Sequence, residues 1–227
     1  GTGGSTLTYG YIQLKTPSTA GVRSINGEYT PGEAKKEKKT TCAVIMGGSF
    51  QVDRVLQNTS GAADELAFQA EQKIKATANF FHNMVINGET AKGGFDGLKK
   101  LLSGTANELT SQVSLATSEE LDENYNAFLD EMDAFLAALD GTPSMLLMNT
   151  GMLIKLRSIA RRAGYYERTQ DDFGRTVETY AGVPMVDMGQ YYNGTTVEDV
   201  IETDANGKTA IYAVSLGLDG FHGISPM

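Results

Sequence analysis

A polar stretch of 21 residues, from Gly21 to Thr41, constrains the fold more than any other part of the chain. It holds only two aliphatic residues larger than alanine and a single aromatic residue, Tyr29. Strand-like runs flank it, from Leu7 to Leu14 and from Thr41 to Met46. Long irregular connections are uncommon inside compact domains, and a two-stranded ribbon is marginally stable by itself in water. The sequence therefore predicts a β arm with a lysine-rich tip that needs another surface to lie on.

Length and composition exclude several classes of protein. The 227 residues are enough for one large domain or two small ones. The net charge of −9 argues against a general nucleic-acid-binding protein, whose domain would be basic. The single cysteine, Cys42, excludes an internal disulfide framework and fits a reducing compartment. Since no apolar run approaches the roughly 20 residues of a membrane-spanning helix, we expect no membrane association.

Charge is distributed in blocks along the chain. Residues 1–60 carry seven bases and four acids, whereas residues 116–140 carry eight acids and no base. Residues 155–168 are again basic, and residues 171–227 are acidic. Such blocks can pair within a subunit or between subunits. The alternative is a set of solvated helix faces, because exposed ion pairs are common and weak.

Apolar spacing and capping residues predict three helices in the middle of the chain. The first runs from Gly61 to Asn87, and the second starts at a capping box of Thr117 and Glu120. The third is capped by Asn149 or Thr150 and closed by Gly164. The predicted strands are Ser144–Met148, Thr176–Tyr180, Val183–Val186 and Thr209–Leu216, the last preceded by a hairpin turn at Asn206-Gly207. Central helices with strands at both ends indicate the α+β class.

Residues that could carry chemistry are scattered. His82 and His222 are the only histidines, and neither has a second ligand at metal spacing, so we expect no metal site. Phosphate-binding glycine loops and the Gly-x-Ser-x-Gly elbow are missing from the sequence. This pattern favours assembly over catalysis. Two alternatives remain: a small cysteine hydrolase that uses Cys42 with His222, and a nucleic-acid binder that uses the lysines of the arm.

Four short runs, taken in order, carry a resemblance to a known family. They are Phe95-Asp96-Gly97-Leu98 after the first helix, PSMLLMNTGM at Pro143–Met152, YAGVPMV at Tyr180–Val186 and IYAVSLG at Ile211–Gly217. Together with the arm and the long helix, they resemble the major capsid proteins of tailed bacteriophages, which have the Hong Kong 97-type fold. The order matches over nearly the whole chain. Met185 stands where valine is commoner in the family.

The resemblance implies an α+β fold with a long β-hairpin arm, a long spine helix, and peripheral and axial domains. Residues 1–57 would form the N-terminal segment and the arm. Residues 58–115 would form the spine helix and the peripheral domain, and residues 116–190 the axial helices and strands. Residues 191–227 would be a truncated set of C-terminal strands, because family members add further ones.

The implied function is that of a shell subunit with no enzymatic activity and no cofactor. It would self-assemble into pentamers and hexamers of an icosahedral head that encloses double-stranded DNA. The implied partners are further copies of the chain, a portal, a scaffold, a maturation protease and packaged DNA bound without sequence specificity. The implied location is the virion, assembled in the bacterial cytoplasm. An encapsulin-type bacterial nanocompartment shell, which shares the fold, is the closest alternative.

The same resemblance implies two groups of contacts between subunits. The arm would contribute Lys35, Lys36, Lys38, Lys39 and Tyr29. The axial part would contribute Glu119, Glu120, Arg161 and Arg162. Neither group carries a catalytic, metal-binding or cofactor-binding role.

Overall fold

The computed structural model describes residues 2–3, 8–29, 32–51, 65–164, 168–170 and 176–226. The chain divides into two compact units, one made by residues 1–45 with 223–227 and the other by residues 46–222. Helices and strands are mixed without regular alternation, which confirms the predicted α+β class. The division into four functional segments stays a prediction.

The elements follow one another in this order. The described helices are α1 Glu65–Asn87, α2 Leu98–Leu102, α3 Ser118–Ala137 and α4 Thr150–Ala163, with a 3-10 turn at Thr90–Lys92. The described strands are β1 Thr2–Gly3, β2 Thr8–Thr16, β3 Lys35–Cys42, β4 Met145–Met148, β5 Arg168–Gln170, β6 Thr176–Tyr180, β7 Val183–Asp187, β8 Gln190–Tyr192, β9 Val197–Asp199, β10 Tyr212–Val214 and β11 Ser225–Pro226.

The first unit is built on a β-hairpin. Strands β2 and β3 run antiparallel, with Tyr9 opposite Thr41 and Leu14 opposite Lys36, and the register shifts between Leu14 and Thr16. Every residue of both strands is exposed to solvent. The same unit holds a two-residue parallel ribbon of β1 and β11. The hairpin therefore has backbone pairing but no core of its own.

The second strand of the hairpin corrects the sequence prediction. The prediction placed it at Thr41–Met46, whereas β3 occupies Lys35–Cys42. The apolar side chains of residues 43–46 favoured the wrong bounds. Burial does not select the register of a ribbon that is solvated on both faces, so backbone pairing with β2 decides it. The lysines consequently lie along the strand, and the connection between the strands is residues 17–34.

The second unit is organised around a five-stranded mixed sheet of order β10-β4-β7-β6-β5, in which only β4 and β7 are parallel. Strand β4 divides the core because successive side chains of a strand point to opposite faces. Leu146 and Met148 pack with α3 and α4, whereas Leu147 packs with the end of α1 and with Val200. These three side chains of β4 are at most 5% exposed, whereas Met145 is half-buried. This strand holds the two halves of the core together.

Within the described residues, the buried part of helix α1 is its C-terminal end. Val85 and Ile86 are its buried residues, and Asn87 donates a side-chain hydrogen bond of 2.7 Å to the Val200 carbonyl. The chain then turns back so closely that a Cβ atom on Gly97 would lie 2.6 Å from the Ile86 carbonyl oxygen. Glycine is required there by close backbone approach. The prediction that the helix ends at Asn87 is confirmed, while the predicted first residues, 61–64, lie outside the described residues.

The capping box predicted for the second helix is confirmed, and of the two caps predicted for the third helix the structure selects Asn149. The Thr117 side chain accepts from the Glu120 N–H, and the Glu120 carboxylate accepts from the Thr117 N–H, which completes a capping box for α3. Asn149 caps α4 by accepting from the Met152 N–H at 2.8 Å. Gly164 closes α4 in the left-handed region, with φ of 77°. These signals are local, so the sequence was sufficient to place them.

The turn at Asn206-Gly207 is present but does not join two paired strands. Gly207 N–H donates to the Asp204 carbonyl, and Asp204 N–H donates to the Lys208 carbonyl at 2.8 Å. The following strand, predicted at Thr209–Leu216, is shorter, and it pairs with β4. The nearby hairpin is instead formed by β8 and β9. A turn signal fixes the local bend, whereas strand partners are chosen over longer distances.

Candidate functional site

The β2–β3 hairpin presents two chemically different faces, because alternate residues of a strand point to opposite sides. One face carries Tyr9, Tyr11, Gln13, Lys15, Lys35, Glu37, Lys39 and Thr41, and we call it the paired face. The other carries Thr8, Gly10, Ile12, Leu14, Lys36, Lys38, Thr40 and Cys42. We call its part formed by Ile12, Leu14, Lys36 and Lys38 the apolar-basic face. The four predicted contact lysines are therefore split between the two faces, two on each.

The lysines of the two faces differ in their partners. On the paired face, the Glu37 carboxylate lies 3.5 Å from Lys15 Nζ and 3.9 Å from Lys39 Nζ. On the apolar-basic face, neither Lys36 nor Lys38 has an acidic partner within the described ranges. Their aliphatic neighbours Ile12 and Leu14 are 65% and 61% exposed. The apolar-basic face thus combines unpaired positive charge with uncovered apolar surface.

Tyr29, the fifth predicted arm residue, lies in the connection between the two strands. The Arg23 guanidinium carbon stands 5.2 Å from the centre of its ring, a cation–π contact. Arg23 also donates to the Gly27 carbonyl at 3.2 Å. Tyr29 therefore takes part in a local contact within the connection, and the predicted role in subunit contacts stays a prediction for it and for the lysines.

Helix α1 exposes a second apolar surface over most of its length. Ile74 is 70% exposed, and Phe80 and Phe81 are nearly half exposed. An open groove of about 640 Å³ runs between this helix and residues 46–50, lined by Met46, Gly47, Gly48, Phe50, Ala70, Lys73, Ile74, Thr77, Ala78 and Phe81. Its lining is predominantly apolar, with Lys73 as its charged residue.

The predicted axial contacts lie in the first turn of α3 and in the last turn of α4. Glu120 is used for capping, and it also accepts from the Ser114 hydroxyl at 2.9 Å, the contact that chiefly holds the pKa of the carboxyl below its ordinary value. Arg162 pairs with Asp122 and contacts Ser158. Arg161 and Glu119 are exposed. An intersubunit role for these four residues stays a prediction.

A narrow stripe on the solvent side of α3 is acidic and uncompensated. It consists of Glu119, Glu123, Ala127, Asp130 and Ala134, and we call it the α3 acidic face. Their spacings of three and four residues place them on one side of the helix, opposite the buried side chains. The three acids form no salt bridge in the part of the chain that the structure describes. Like charges four residues apart on a helix are mildly destabilising.

Asn149 has a second role that the sequence did not reveal. Its side-chain nitrogen donates to the Ile201 carbonyl at 3.1 Å and to the hydroxyls of Thr203 and Thr209 at 3.1 and 2.9 Å. The residue is 2% exposed, and it connects the start of α4 to a distant loop through one buried and two partly buried hydrogen bonds. Only the capping position was visible in the sequence, because the partners lie more than 50 residues away.

The residues considered for chemistry are Cys42, His82 and His222. Cys42 is exposed at the end of β3, with its sulfur 4.0 Å from the Thr8 hydroxyl oxygen. His82 lies on exposed α1 beside the Phe81 ring, and His222 Nδ1 is 3.1 Å from the Gly220 carbonyl oxygen. Within the described ranges, His, Cys, Asp and Glu side chains do not gather in groups of three or more that could hold a metal ion. None of the described helices is long and apolar enough to cross a membrane.

Comparison with known proteins identifies the fold. No protein-family model and no curated protein matches the chain. The structure is similar to a chain of the holo-SrpI encapsulin complex from Synechococcus elongatus PCC 7942, with a TM-score of 0.65 and 16% identity over 97% of this chain. A chain from Mycobacterium phage Cain gives a TM-score of 0.49 and 16% identity over 88% of this chain.

The likeness to the encapsulin chain shows the fold alone, since the identity is low. The chain spans 65% of the length of each of the two matched chains. The chain therefore shares its fold with the encapsulin chain, and at the level of the fold this supports the resemblance stated from the sequence. The score against the phage chain is too low to carry an argument.

Proposed function

We propose that the chain is a subunit of a closed protein shell and works by assembling with copies of itself. The observation that carries this proposal is the β2–β3 hairpin, whose 17 strand residues are all exposed. A two-stranded ribbon is at best marginally stable alone in water, so an exposed one gains from being covered. A neighbouring subunit supplies that cover. The similarity in fold to an encapsulin chain supports the same conclusion.

Helix α1 supports the proposal independently. Five large apolar side chains between Leu66 and Phe81 are at least 45% exposed, although the C-terminal end of the helix is buried. Contiguous apolar surface on a soluble protein commonly marks a protein–protein interface. In a shell, such a helix is covered by its neighbours. We propose no catalytic activity, because assembly accounts for both exposed surfaces.

Two kinds of shell fit these surfaces equally well. One is the head of a tailed phage or prophage, whose major capsid protein would form pentamers and hexamers around double-stranded DNA. The other is an encapsulin-type compartment, which would enclose protein cargo. The content of particles purified from the producing cells separates the two. Double-stranded DNA in nuclease-resistant particles supports the phage head, and a defined protein load supports the compartment.

The proposal is tested by the size of the particles that the full chain forms. Size-exclusion chromatography with light scattering and electron microscopy should show rings or closed shells, far above the 24.3 kDa of a monomer. A chain that stays monomeric at high concentration contradicts the proposal. Cys42→Ser should assemble as the wild type does. If that variant instead loses a hydrolytic activity measured in the wild type, the cysteine-hydrolase alternative is supported.

A further inference from the structure

Asparagine followed by glycine occurs four times in the chain, and each pair lies in a different environment. The pairs are Asn26-Gly27, Asn87-Gly88, Asn193-Gly194 and Asn206-Gly207. In such a pair the backbone nitrogen of the second residue can attack the asparagine carboxamide, because glycine has no side chain to hinder the approach. The fold decides which pair reacts, since the carboxamide must be free to turn toward that nitrogen.

The Asn87-Gly88 pair is held by the core of the second unit. The Asn87 side-chain nitrogen donates to Asn83 Oδ1 at 2.8 Å and to the Val200 carbonyl oxygen at 2.7 Å. Gly88 is buried, and a Cβ atom there would lie 2.3 Å from the Phe95 carbonyl oxygen. Both groups that would react are thus fixed. Releasing two hydrogen bonds lowers the population of a free side chain about 30-fold.

The other two pairs of the second unit are exposed, but their carboxamides are also restrained. The Asn193 oxygen accepts from the N–H groups two and three residues ahead at 2.8 and 2.9 Å. Its nitrogen donates to the Thr196 hydroxyl at 3.1 Å and to the Glu198 carboxylate at 2.7 Å. The Asn206 side chain is hydrogen-bonded to the Asp204 carboxylate, which also accepts from two backbone N–H groups of the same turn.

The Asn26 side chain differs from these three. It is exposed, and it forms no hydrogen bond with the described residues. Its backbone lies in the left-handed region, with φ of 67°, which is uncommon for a residue other than glycine. The Gly27 N–H donates to the Ser24 carbonyl oxygen at 3.0 Å. Gly88 and Gly207 donate to backbone carbonyls in the same way, so this bond does not distinguish the pairs.

We propose that Asn26 is a site of spontaneous deamidation in the folded chain and that it reacts before the other three asparagines. Hydroxide removes the proton of the Gly27 N–H, and the nitrogen attacks Cγ of Asn26. The bond between Cγ and the side-chain nitrogen breaks, and ammonia leaves after taking a proton from water. Water then opens the cyclic imide at either carbonyl carbon, which gives isoaspartate or aspartate without oxidation or reduction.

The reaction changes the charge of the connection between β2 and β3. The product carries one negative charge more than the net charge of −9 of the unmodified chain. Arg23, in the same short segment, donates to the Gly27 carbonyl at 3.2 Å and contacts the Tyr29 ring. A carboxylate at position 26 lies three residues from this cation. The inference concerns a single chain, so it stands or falls separately from the proposed shell function.

Peptide mapping by mass spectrometry tests the proposal on the full chain, dissociated and incubated at pH 7 and pH 9. It measures aspartate and isoaspartate at all four positions in one sample. Asn26 should react at least about 30-fold faster than Asn87, the factor supplied by two hydrogen bonds. The rate should rise with pH, because the attack requires loss of the Gly27 proton. In concentrated urea the four pairs should react at similar rates, since unfolding removes the restraints.

A variant of the restrained pair tests the physical cause. Glu198→Ala removes one acceptor of the Asn193 carboxamide, so Asn193 should react about fivefold faster while Asn26 keeps its rate. Asp199→Ala, on the same strand, is the control and should change neither rate. The proposal is overturned if Asn26 in the folded chain reacts no faster than Asn87, or if the four pairs rank in urea as they do in the folded chain.

Discussion

Leu146 and Leu14 are both leucines on strands, but one is buried and the other is exposed to solvent. Leu146, in β4, is completely buried between the helices and the sheet, whereas Leu14, in β2, is 61% exposed on a hairpin without a core. Burying a leucine side chain contributes about 1.5–3 kcal/mol to the free energy of folding. The second unit gains this free energy from contacts within one chain. The hairpin does not gain it in the described structure, and under the proposed function it gains it from a neighbouring copy of the chain.

Replacing each leucine by alanine gives the sharpest form of this comparison. Leu146→Ala should lower the free energy of unfolding by about 2–5 kcal/mol, because it removes buried methyl groups and leaves a cavity. Leu14→Ala should change it by less than about 0.5 kcal/mol, as is usual for surface substitutions. Urea denaturation of dissociated protein measures both. If Leu14→Ala destabilises the isolated subunit as much as Leu146→Ala does, the hairpin belongs to the folding core and the comparison fails.

The next largest effect is expected at Asn149, which is buried and polar. Asn149→Ala should lower the free energy of unfolding by about 2–4 kcal/mol, since it removes a cap and leaves the buried Ile201 carbonyl without its donor. Asn149→Asp is the matched variant, because it keeps the oxygen that accepts from Met152 but loses the amide donor. Thermal unfolding compares the two. A loss confined to the alanine variant would assign the residue to capping alone.

Asn149 also shows which contacts could be predicted from the sequence and which could not. Its cap on α4, like the capping box of Thr117 and Glu120, depends on residues within one turn. The capping box was predicted, and the cap of α4 was predicted to be either Asn149 or Thr150. Its bonds to Ile201, Thr203 and Thr209 join segments that are distant in sequence, and no local pattern encodes them. Strands that pair inside the core were located by their apolar residues, although β10 proved shorter than predicted.

The second strand of the hairpin was misplaced because its position does not depend on a local apolar pattern either. Apolar content is the main strand signal, and β3, with the sequence KKEKKTTC, has almost none. Its bounds depend on backbone pairing with β2, so they were misplaced by six residues at the start of the strand. The division of the lysines between two faces follows from that register. It could not be deduced before the strand was placed.

Glycine substitutions test the anchored end of α1 against the open segment beside the same helix. Gly97→Ala should destabilise the protein by about 1–3 kcal/mol, because the new methyl group would overlap the Ile86 carbonyl at 2.6 Å. Gly47→Ala should be nearly neutral, since nothing lies within 4 Å of the added carbon. Chemical denaturation reports the difference. Equal effects would mean that the end of α1 is no more tightly held than residues 46–50.

The smallest expected effect concerns Glu120, whose pKa is held below the ordinary value of 4.5 chiefly by the Ser114 hydroxyl and then by the Thr117 N–H. A carboxyl with a lowered pKa in the folded state stabilises that state above pH 4.5 and loses this contribution as the pH falls through the folded value. Glu120→Gln keeps the shape of the capping box but cannot titrate. The variant should therefore unfold at a slightly lower temperature than the wild type at pH 7, and the gap should close toward pH 3. Melting temperatures between pH 3 and pH 7 measure this gap. Glu119→Gln is the control variant, because Glu119 lies outside the capping box. A gap that is constant with pH would show that the charge of Glu120 contributes nothing to the stability of α3.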